Sequence, residues 1–174
     1  MDFKKLGQFL KDEGQPAFRL KQIQKAVFED ALIDFNDMTS LPKDLRDVLK
    51  DEFRILPFFA MPTGRQAKNI LVSKNKDSYK ALLELEDGRV IETVLLNMSE
   101  GSWSVCVSSQ AGCAMRCSFC ATGASGFFRN LTSSEIWGQV LFWKAYIKEH
   151  KINGHAYRQA GKISNVVYMG MGEP

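Results

Sequence analysis

What this chain has little of narrows its chemistry before any motif is read. Its 174 residues include two histidines and four cysteines. A structural zinc site usually draws four ligands from two short Cys or His pairs far apart in sequence. Here the cysteines form one cluster with no second pair, so a zinc finger or ribbon is not expected. His150 falls at the end of a predicted helix and His155 in a polar loop, where a solvated imidazole is the common outcome; neither is assigned a metal or catalytic role. No apolar signal segment opens the sequence, and no apolar run reaches the roughly 20 residues of a membrane span. A reducing cytoplasm is therefore the expected location, and a disulfide scaffold is not. A strong charge excess is missing too: 23 Lys+Arg against 20 Asp+Glu leave a net charge of +3. Residues 1–55 hold 10 basic and 11 acidic side chains, which puts the basic excess with the cysteine-bearing part. Charge of that size does not by itself name a nucleic acid. With 45% hydrophobic residues the chain can bury a core, and it reads as one ordinary globular domain plus a smaller module.

What is present is concentrated in the run Gln110-Ala111-Gly112-Cys113-Ala114-Met115-Arg116-Cys117-Ser118-Phe119-Cys120. Three thiolates can hold three irons of a [4Fe–4S] cube, whereas an electron-carrying ferredoxin cluster is closed by four. The fourth iron is then open to chelate the amino and carboxylate groups of S-adenosylmethionine (SAM) and to pass an electron into its sulfonium, releasing a 5′-deoxyadenosyl radical. The Cys-x3-Cys-x2-Cys spacing of Cys113, Cys117 and Cys120 resembles that of radical-SAM enzymes. The competing reading is a closed four-thiolate site that adds Cys106. Strand placement, below, aims Cys106 elsewhere.

The fold class expected is α/β, in three segments. Residues 1–55 read as a helical accessory module: Phe3, Leu6, Phe9 and Leu10 recur at helical spacing, and Gly14 and Pro16 punctuate the end. A second helix has Phe18, Leu20, Ile23, Ala26 and Val27 on its apolar face and Arg19, Lys21 and Lys25 outside, a basic face suited to a weak RNA contact. Ser40 is the expected cap of a third helix through Leu45, Val48, Leu49 and Phe53, with Pro42 in its first turn. Residues 56–98 read as a linker, Pro57 to Gly64, followed by a short strand, Ile70–Val72, and a hairpin. The hairpin arms are Tyr79–Leu85 and Val90–Leu96, joined at Asp87-Gly88, where glycine accepts the positive φ of a tight turn. Val90, Glu92, Val94 and Leu96 share one face. A carboxylate among aliphatic residues is unusual unless paired or functional, which makes Glu92 a candidate.

Residues 99–174 read as the start of a parallel barrel. Along Ser102–Ser108, Trp103, Val105 and Val107 alternate with Ser104, Cys106 and Ser108, so Cys106 lies on the polar face and points toward a site. Thr132-Ser133-Ser134-Glu135 has capping-box spacing ahead of a helix whose buried stripe is expected at Ile136, Val140, Trp143 and Ile147. The strand Ile163–Met169 then runs into Gly170-Met171-Gly172-Glu173-Pro174. Strand, cysteine loop, helix, strand is one βαβ unit, and in parallel barrels chemistry gathers at the carboxyl ends of strands. Both distinctive motifs fall there; Gly172 lets backbone approach a ligand and Glu173 offers a carboxylate to an ammonium.

Several stretches together carry a family resemblance. Cys106-Val107-Ser108-Ser109-Gln110-Ala111-Gly112-Cys113, the cluster cysteines, Gly126-Phe127-Phe128-Arg129-Asn130-Leu131-Thr132 and Met169-Gly170-Met171-Gly172-Glu173-Pro174 resemble the radical-SAM adenine-C2 RNA methyltransferases. So do Phe18-Arg19, Gln22-Ile23, Asp37-Met38, Leu41-Pro42 and Ile91-Glu92-Thr93-Val94. The resemblance implies a [4Fe–4S] cluster on Cys113, Cys117 and Cys120, SAM at Gly172 and Glu173, and methylation of adenosine carbon 2 in 23S rRNA and, for many members, tRNA. It implies further that Glu92 accepts the C2 proton and that Cys106 is the thiol that resolves a covalent intermediate by forming a disulfide. The methyl-carrying cysteine of the family is absent, because the four cysteines present are already assigned. An external electron donor and a monomeric, membrane-free protein are also expected. A full barrel of about 200 residues after the leader would make a chain roughly twice this long. The sequence is thus expected to be an N-terminal fragment, inactive alone. The alternatives are an adenine-C8 rRNA methyltransferase of the related resistance family and a non-catalytic iron–sulfur or zinc-binding module.

Overall fold

A computed structural model describes residues 1–58, 70–98, 102–152 and 162–174. The linker expected at Pro57 to Gly64 lies mostly outside those residues, and the loop with Asn153, Gly154 and His155 lies wholly outside them. The chain divides into two compact units, Met1–Pro57 and Phe58–Pro174.

The first unit is helical. Helix α1 (Phe3–Asp12) starts at Asp2, whose carboxylate accepts the Lys4 and Lys5 amides at 2.8 and 3.2 Å. Such a cap satisfies amides that have no partner inside the helix. Helix α2 is Phe18–Phe28 and α3 is Lys43–Glu52. Leu6, Leu10, Ile23, Val27, Leu45 and Leu49 form the shared core. Two expectations are corrected. Ser40 does not cap α3: Pro42 occupies that position in an extended conformation (φ −55°, ψ 146°), because its ring fixes φ and it has no N–H to bond. Phe18 is 52% exposed instead of packed inside, with the Arg19 guanidinium 4.9 Å from its ring centre.

The second unit is built on a five-stranded sheet. Strands β1 (Ile70–Val72), β2 (Ser78–Glu84), β3 (Val90–Asn97) and β4 (Trp103–Cys106) pair antiparallel in sequence order, and β7 (Ile163–Val167) joins β4 in parallel. The hairpin and the barrel-type strands therefore belong to one sheet. Between β2 and β3 the Gly88 amide bonds the Leu85 carbonyl at 2.9 Å and Gly88 has φ +77°, a type I turn closed by a left-handed glycine. A small second sheet, β5 (Gln110–Gly112) with β6 (Phe127–Asn130), flanks the cysteine loop; the sequence reading contained neither strand.

Helix α5 (Ser133–Glu149), which follows the short helix α4 (Ala121–Ala124), crosses from β6 to β7 and covers one face of the sheet. Its capping box is present, with the Glu135 amide on Thr132 Oγ1 at 3.3 Å and the Thr132 amide on Glu135 at 2.7 Å. The buried stripe matches the expected one at Trp143 and Ile147 and differs elsewhere: Glu135, Gly138, Gln139, Phe142 and Tyr146 are also buried, while Ile136 and Val140 are half-exposed. An all-round apolar helix leaves the choice of face to its neighbours. Here Trp143 decides it, donating from Nε1 to Thr93 Oγ1 at 3.1 Å. Phe142, Trp143 and Tyr146 interlock edge-on with Phe58 and Tyr79. Among the described residues no helix is long and apolar enough to cross a membrane.

Candidate active site

Strand register decides which candidates meet. Along β3, Ile91, Thr93 and Leu95 are buried, whereas Val90, Glu92, Val94 and Leu96 are exposed or half-exposed. The Glu92 face is therefore the more open face of the sheet, not an aliphatic interior. Two positions apart on a strand means the same face. Val94 pairs with Cys106, so Glu92, Val94 and Cys106 lie on one side of the sheet, with Glu92 diagonal to the cysteine. Glu92 is paired: Lys80 Nζ, diagonal to it on β2, lies 2.9 Å from both carboxylate oxygens, with the two side chains 40% and 42% exposed.

Cys106 ends β4 and is buried. Burial pushes its thiol pKa up, and a hydrogen bond from the Met169 backbone N–H offsets part of that rise. The chain then turns through Val107–Ser109 into β5 and the cysteine loop. Cys113 is buried and its amide bonds the Gly126 carbonyl at 3.0 Å; Cys117 is exposed and Cys120 half-exposed. The loop folds tightly on itself: a Cβ at Gly123 would stand 3.0 Å from both the Arg116 Cα and the Cys117 amide nitrogen. Cys120 precedes α4, and the Gly123 and Thr122 backbone N–H groups bond its sulfur and lower its pKa, as expected where amides converge on a thiolate.

Residues 111–131 contain three cysteines and no carboxylate, a donor set of soft sulfur that suits iron–sulfur chemistry over a hard cation. Cys120 is already biased to the anionic form a metal ligand needs. By donor chemistry the loop fits a cluster. Among the described residues, however, no three His, Cys, Asp or Glu side chains converge closely enough to hold a metal.

The loop after β7 closes the same end of the sheet. Met171 accepts the Ser109 and Gln110 amides at 2.9 and 3.1 Å, and the Glu173 amide donates to Gln110 Oε1 at 3.2 Å. Gly172 has φ +99°, a left-handed geometry that favours glycine, and packs on the Gln110 side chain. The Glu173 side chain is exposed. His150 stacks on Tyr146 with ring centres 4.0 Å apart, outside this site; His155 lies outside the described residues.

Sequence reasoning assigned no role to Arg129. Its guanidinium holds Glu135 through Nη1 and Nη2 at 2.9 and 2.8 Å, and Asp87 in the hairpin turn through Nε at 2.6 Å. Arg89 from the same turn lies 4.1 Å from the Phe128 ring centre. Together these contacts tie the hairpin tip to β6 and fix one flank of the cysteine loop. Asp87 and Arg129 stand 42 positions apart, and no local pattern announces that pair.

Comparison with known proteins agrees with this architecture. Residues 1–55 match the family described as the ribosomal RNA large subunit methyltransferase N-terminal domain. The chain is 40% identical over 176 residues to the dual-specificity RNA methyltransferase RlmN of Oleidesulfovibrio alaskensis, covering all of this chain and 45% of that protein. It is 42% identical over 166 residues to a protein of Carboxydothermus hydrogenoformans named as a probable RlmN, covering 95% of this chain and 43% of that one. A crystal structure of a radical SAM methyltransferase from Sphaerobacter thermophilus superposes with a TM-score of 0.82 at 34% identity, over 100% of this chain and 46% of that chain. The chain thus spans less than half the length of the relatives it matches, and over that span it is similar to proteins named as RlmN and to a radical SAM methyltransferase.

Proposed function

We propose that these residues form the cluster-bearing and proton-accepting part of an enzyme that methylates carbon 2 of adenosine in 23S rRNA and in tRNA. One observation carries the reading: the thiol loop, Cys106, Glu92 and the Gly-Glu-Pro loop stand at the same end of one sheet, although they come from different strands. Carbon 2 of adenine is electrophilic, so an ordinary methyl cation would not attack it. Cys113, Cys117 and Cys120 would hold a [4Fe–4S] cluster, which would supply the electron that cleaves SAM to methionine and a 5′-deoxyadenosyl radical.

Each residue of this chain then has a task. Gly172 leaves the backbone open to SAM, and Glu173 offers its carboxylate to the SAM ammonium. Glu92 removes the C2 proton once Lys80 has swung aside; pairs this exposed are worth about 0–1 kcal/mol, so opening it costs little. The deoxyadenosyl radical would first take a hydrogen atom from a methyl group carried on a second cysteine, and the resulting carbon radical would add to C2. Loss of the C2 proton to Glu92, with one electron to an oxidised acceptor, would leave the base tethered through a CH2–S link. Cys106 then attacks the sulfur of that link. A sulfur–sulfur bond forms as the sulfur–carbon bond breaks, its electron pair stays on the carbon, and a proton there completes the methyl group. That second cysteine would come from outside these 174 residues, and an external donor would supply the electron.

The test is mass spectrometry of unmodified rRNA and tRNA after anaerobic incubation with SAM, reductant and a chain extended to the length of its relatives. C2-methyladenosine supports the reading. C8-methyladenosine would move the protein to the C8-modifying branch, and a zinc-loaded chain without methylation would make it a non-catalytic module.

A further inference from the structure

Two fully buried polar side chains, Ser108 and Gln139, take no part in the chemistry above. Gln139 treats Ser108 as a neighbouring strand would. Its Oε1 accepts the Ser108 amide at 2.8 Å, and its Nε2 donates to the Ser108 carbonyl at 2.9 Å and to the Glu135 carbonyl at 3.2 Å. With both main-chain groups of Ser108 occupied, the residue is fixed on helix α5 and its hydroxyl is left to bridge other elements. That hydroxyl donates to the Glu92 carbonyl at 2.6 Å and accepts the Met171 amide at 2.8 Å. The Gly170 amide adds a bond to the Val107 carbonyl at 3.1 Å.

From this geometry we infer that Ser108 is a positioning residue: its hydroxyl, oriented by Gln139, holds the Met169–Glu173 loop against the strand ends that carry Glu92 and Cys106. The functional importance of those groups rests on the reading proposed above; the mechanical coupling does not. The loop is otherwise exposed, with Met169 79% accessible, so its place depends on main-chain bonds more than on apolar packing. The same loop supplies the Met169 N–H that bonds the Cys106 sulfur. Loosening at Ser108 should therefore reach Cys106, two residues earlier at the end of β4.

The experiment uses the 174-residue chain as purified under reducing, anaerobic conditions, with Ser108→Ala, Ser108→Thr and Gly170→Ala. Hydrogen exchange at Met171 and the alkylation rate of Cys106 are both read by mass spectrometry. Ser108→Ala should speed both by about tenfold, the loss expected for one hydrogen bond in a locally opening segment, with Ile91–Leu95 as protected as before. Ser108→Thr keeps the hydroxyl and should restore near wild-type rates. Gly170→Ala leaves Ser108 intact but brings a Cβ to 2.7 Å from the Val107 carbonyl and 2.8 Å from the Ser108 hydroxyl, and should reproduce the loosening. Unchanged rates in Ser108→Ala and Gly170→Ala would overturn the inference. So would acceleration spread evenly into β3 without rescue by threonine, or a wild-type Met171 amide that already exchanges freely. Failure of the methyltransferase reading would appear in iron content and RNA products and would leave these rates where they are.

Discussion

Arg129 and Glu135 form a two-pronged ion pair at the start of helix α5, with nitrogen–oxygen distances of 2.8 and 2.9 Å. The same carboxylate caps the helix through Thr132, so one side chain holds β6, the helix start and, through Arg129, the hairpin tip. Burial by itself would raise the Glu135 pKa, but the Arg129 fork and the Thr132 amide and hydroxyl outweigh it and the pKa is lowered. Glu135→Gln should cost about 1.5–3 kcal/mol, the range for hydrogen bonds to a charged group. A group with a depressed folded pKa stabilises fully above its unfolded value, about 4.3 for glutamate, and less as pH falls through the folded value. Thermal melts should therefore show the gap between wild type and Glu135→Gln closing below pH 4.3. A gap constant down to pH 2 would show that the carboxylate's charge is not what stabilises.

The thiols should separate by reactivity in the metal-free chain. The Cys120 pKa is lowered by the Gly123 and Thr122 amides, whereas the Cys106 pKa is raised by burial. Thiolate is the reacting form, so Cys120 should be alkylated at lower pH than Cys106. Site-resolved mass spectrometry across pH 6–10 reads the order, and Cys106 reacting first would contradict it. After anaerobic reconstitution, Cys113→Ala, Cys117→Ala and Cys120→Ala should each lose iron, and Cys106→Ala should keep it. Equal iron loss in all four would mean a four-thiolate site.

Lys80 should matter little to stability. Both members of its pair with Glu92 are about two-fifths exposed, and double-mutant measurements on such pairs give about 0.2–1 kcal/mol. Lys80→Met should lower the melting free energy by less than about 1 kcal/mol. Glu92→Gln in a chain of the relatives' length should instead block release of methylated RNA and leave iron binding intact. A loss of iron with Glu92→Gln would assign that carboxylate to the architecture of the cluster loop.

These tests fall where the sequence was least legible. The cysteine spacing, the Thr132–Glu135 capping box and the Asp87-Gly88 turn are local signals, because each is set by residues within a few positions, and the structure contains all three. The α/β class followed from the change of period after residue 70. The inward face of α5 did not follow in full, since a helix apolar on most sides is oriented by what it meets, and what it meets is Thr93, fifty positions from Trp143. Trp143, which belongs to the expected stripe, is fully buried there. Strands β5 and β6, Gln-Ala-Gly and Phe-Phe-Arg-Asn, are three and four residues long, too short for alternation to be read. Arg129 and Gln139 act across 42 and 31 positions, and only the fold brings their partners near.

The 174-residue chain should not methylate RNA by itself, even with its cluster assembled. In the proposed reading the cluster and resolving roles take all four cysteines, Cys106, Cys113, Cys117 and Cys120, and none is left to carry the methyl group. Strand β7 pairs with β4 on one side only among the described residues, and Val166 on it is 43% exposed. Parallel strands are ordinarily covered on both faces, and an unpaired apolar edge invites association. The short chain should therefore self-associate above micromolar concentration, and Val166→Lys should reduce that association without altering iron content. Mass spectrometry of rRNA and tRNA treated with the short chain, beside a chain of the relatives' length, decides the catalytic part. C2-methyladenosine made by the short chain alone would refute the assignment of Cys106 as a resolving thiol, because no second cysteine would then remain for it to resolve.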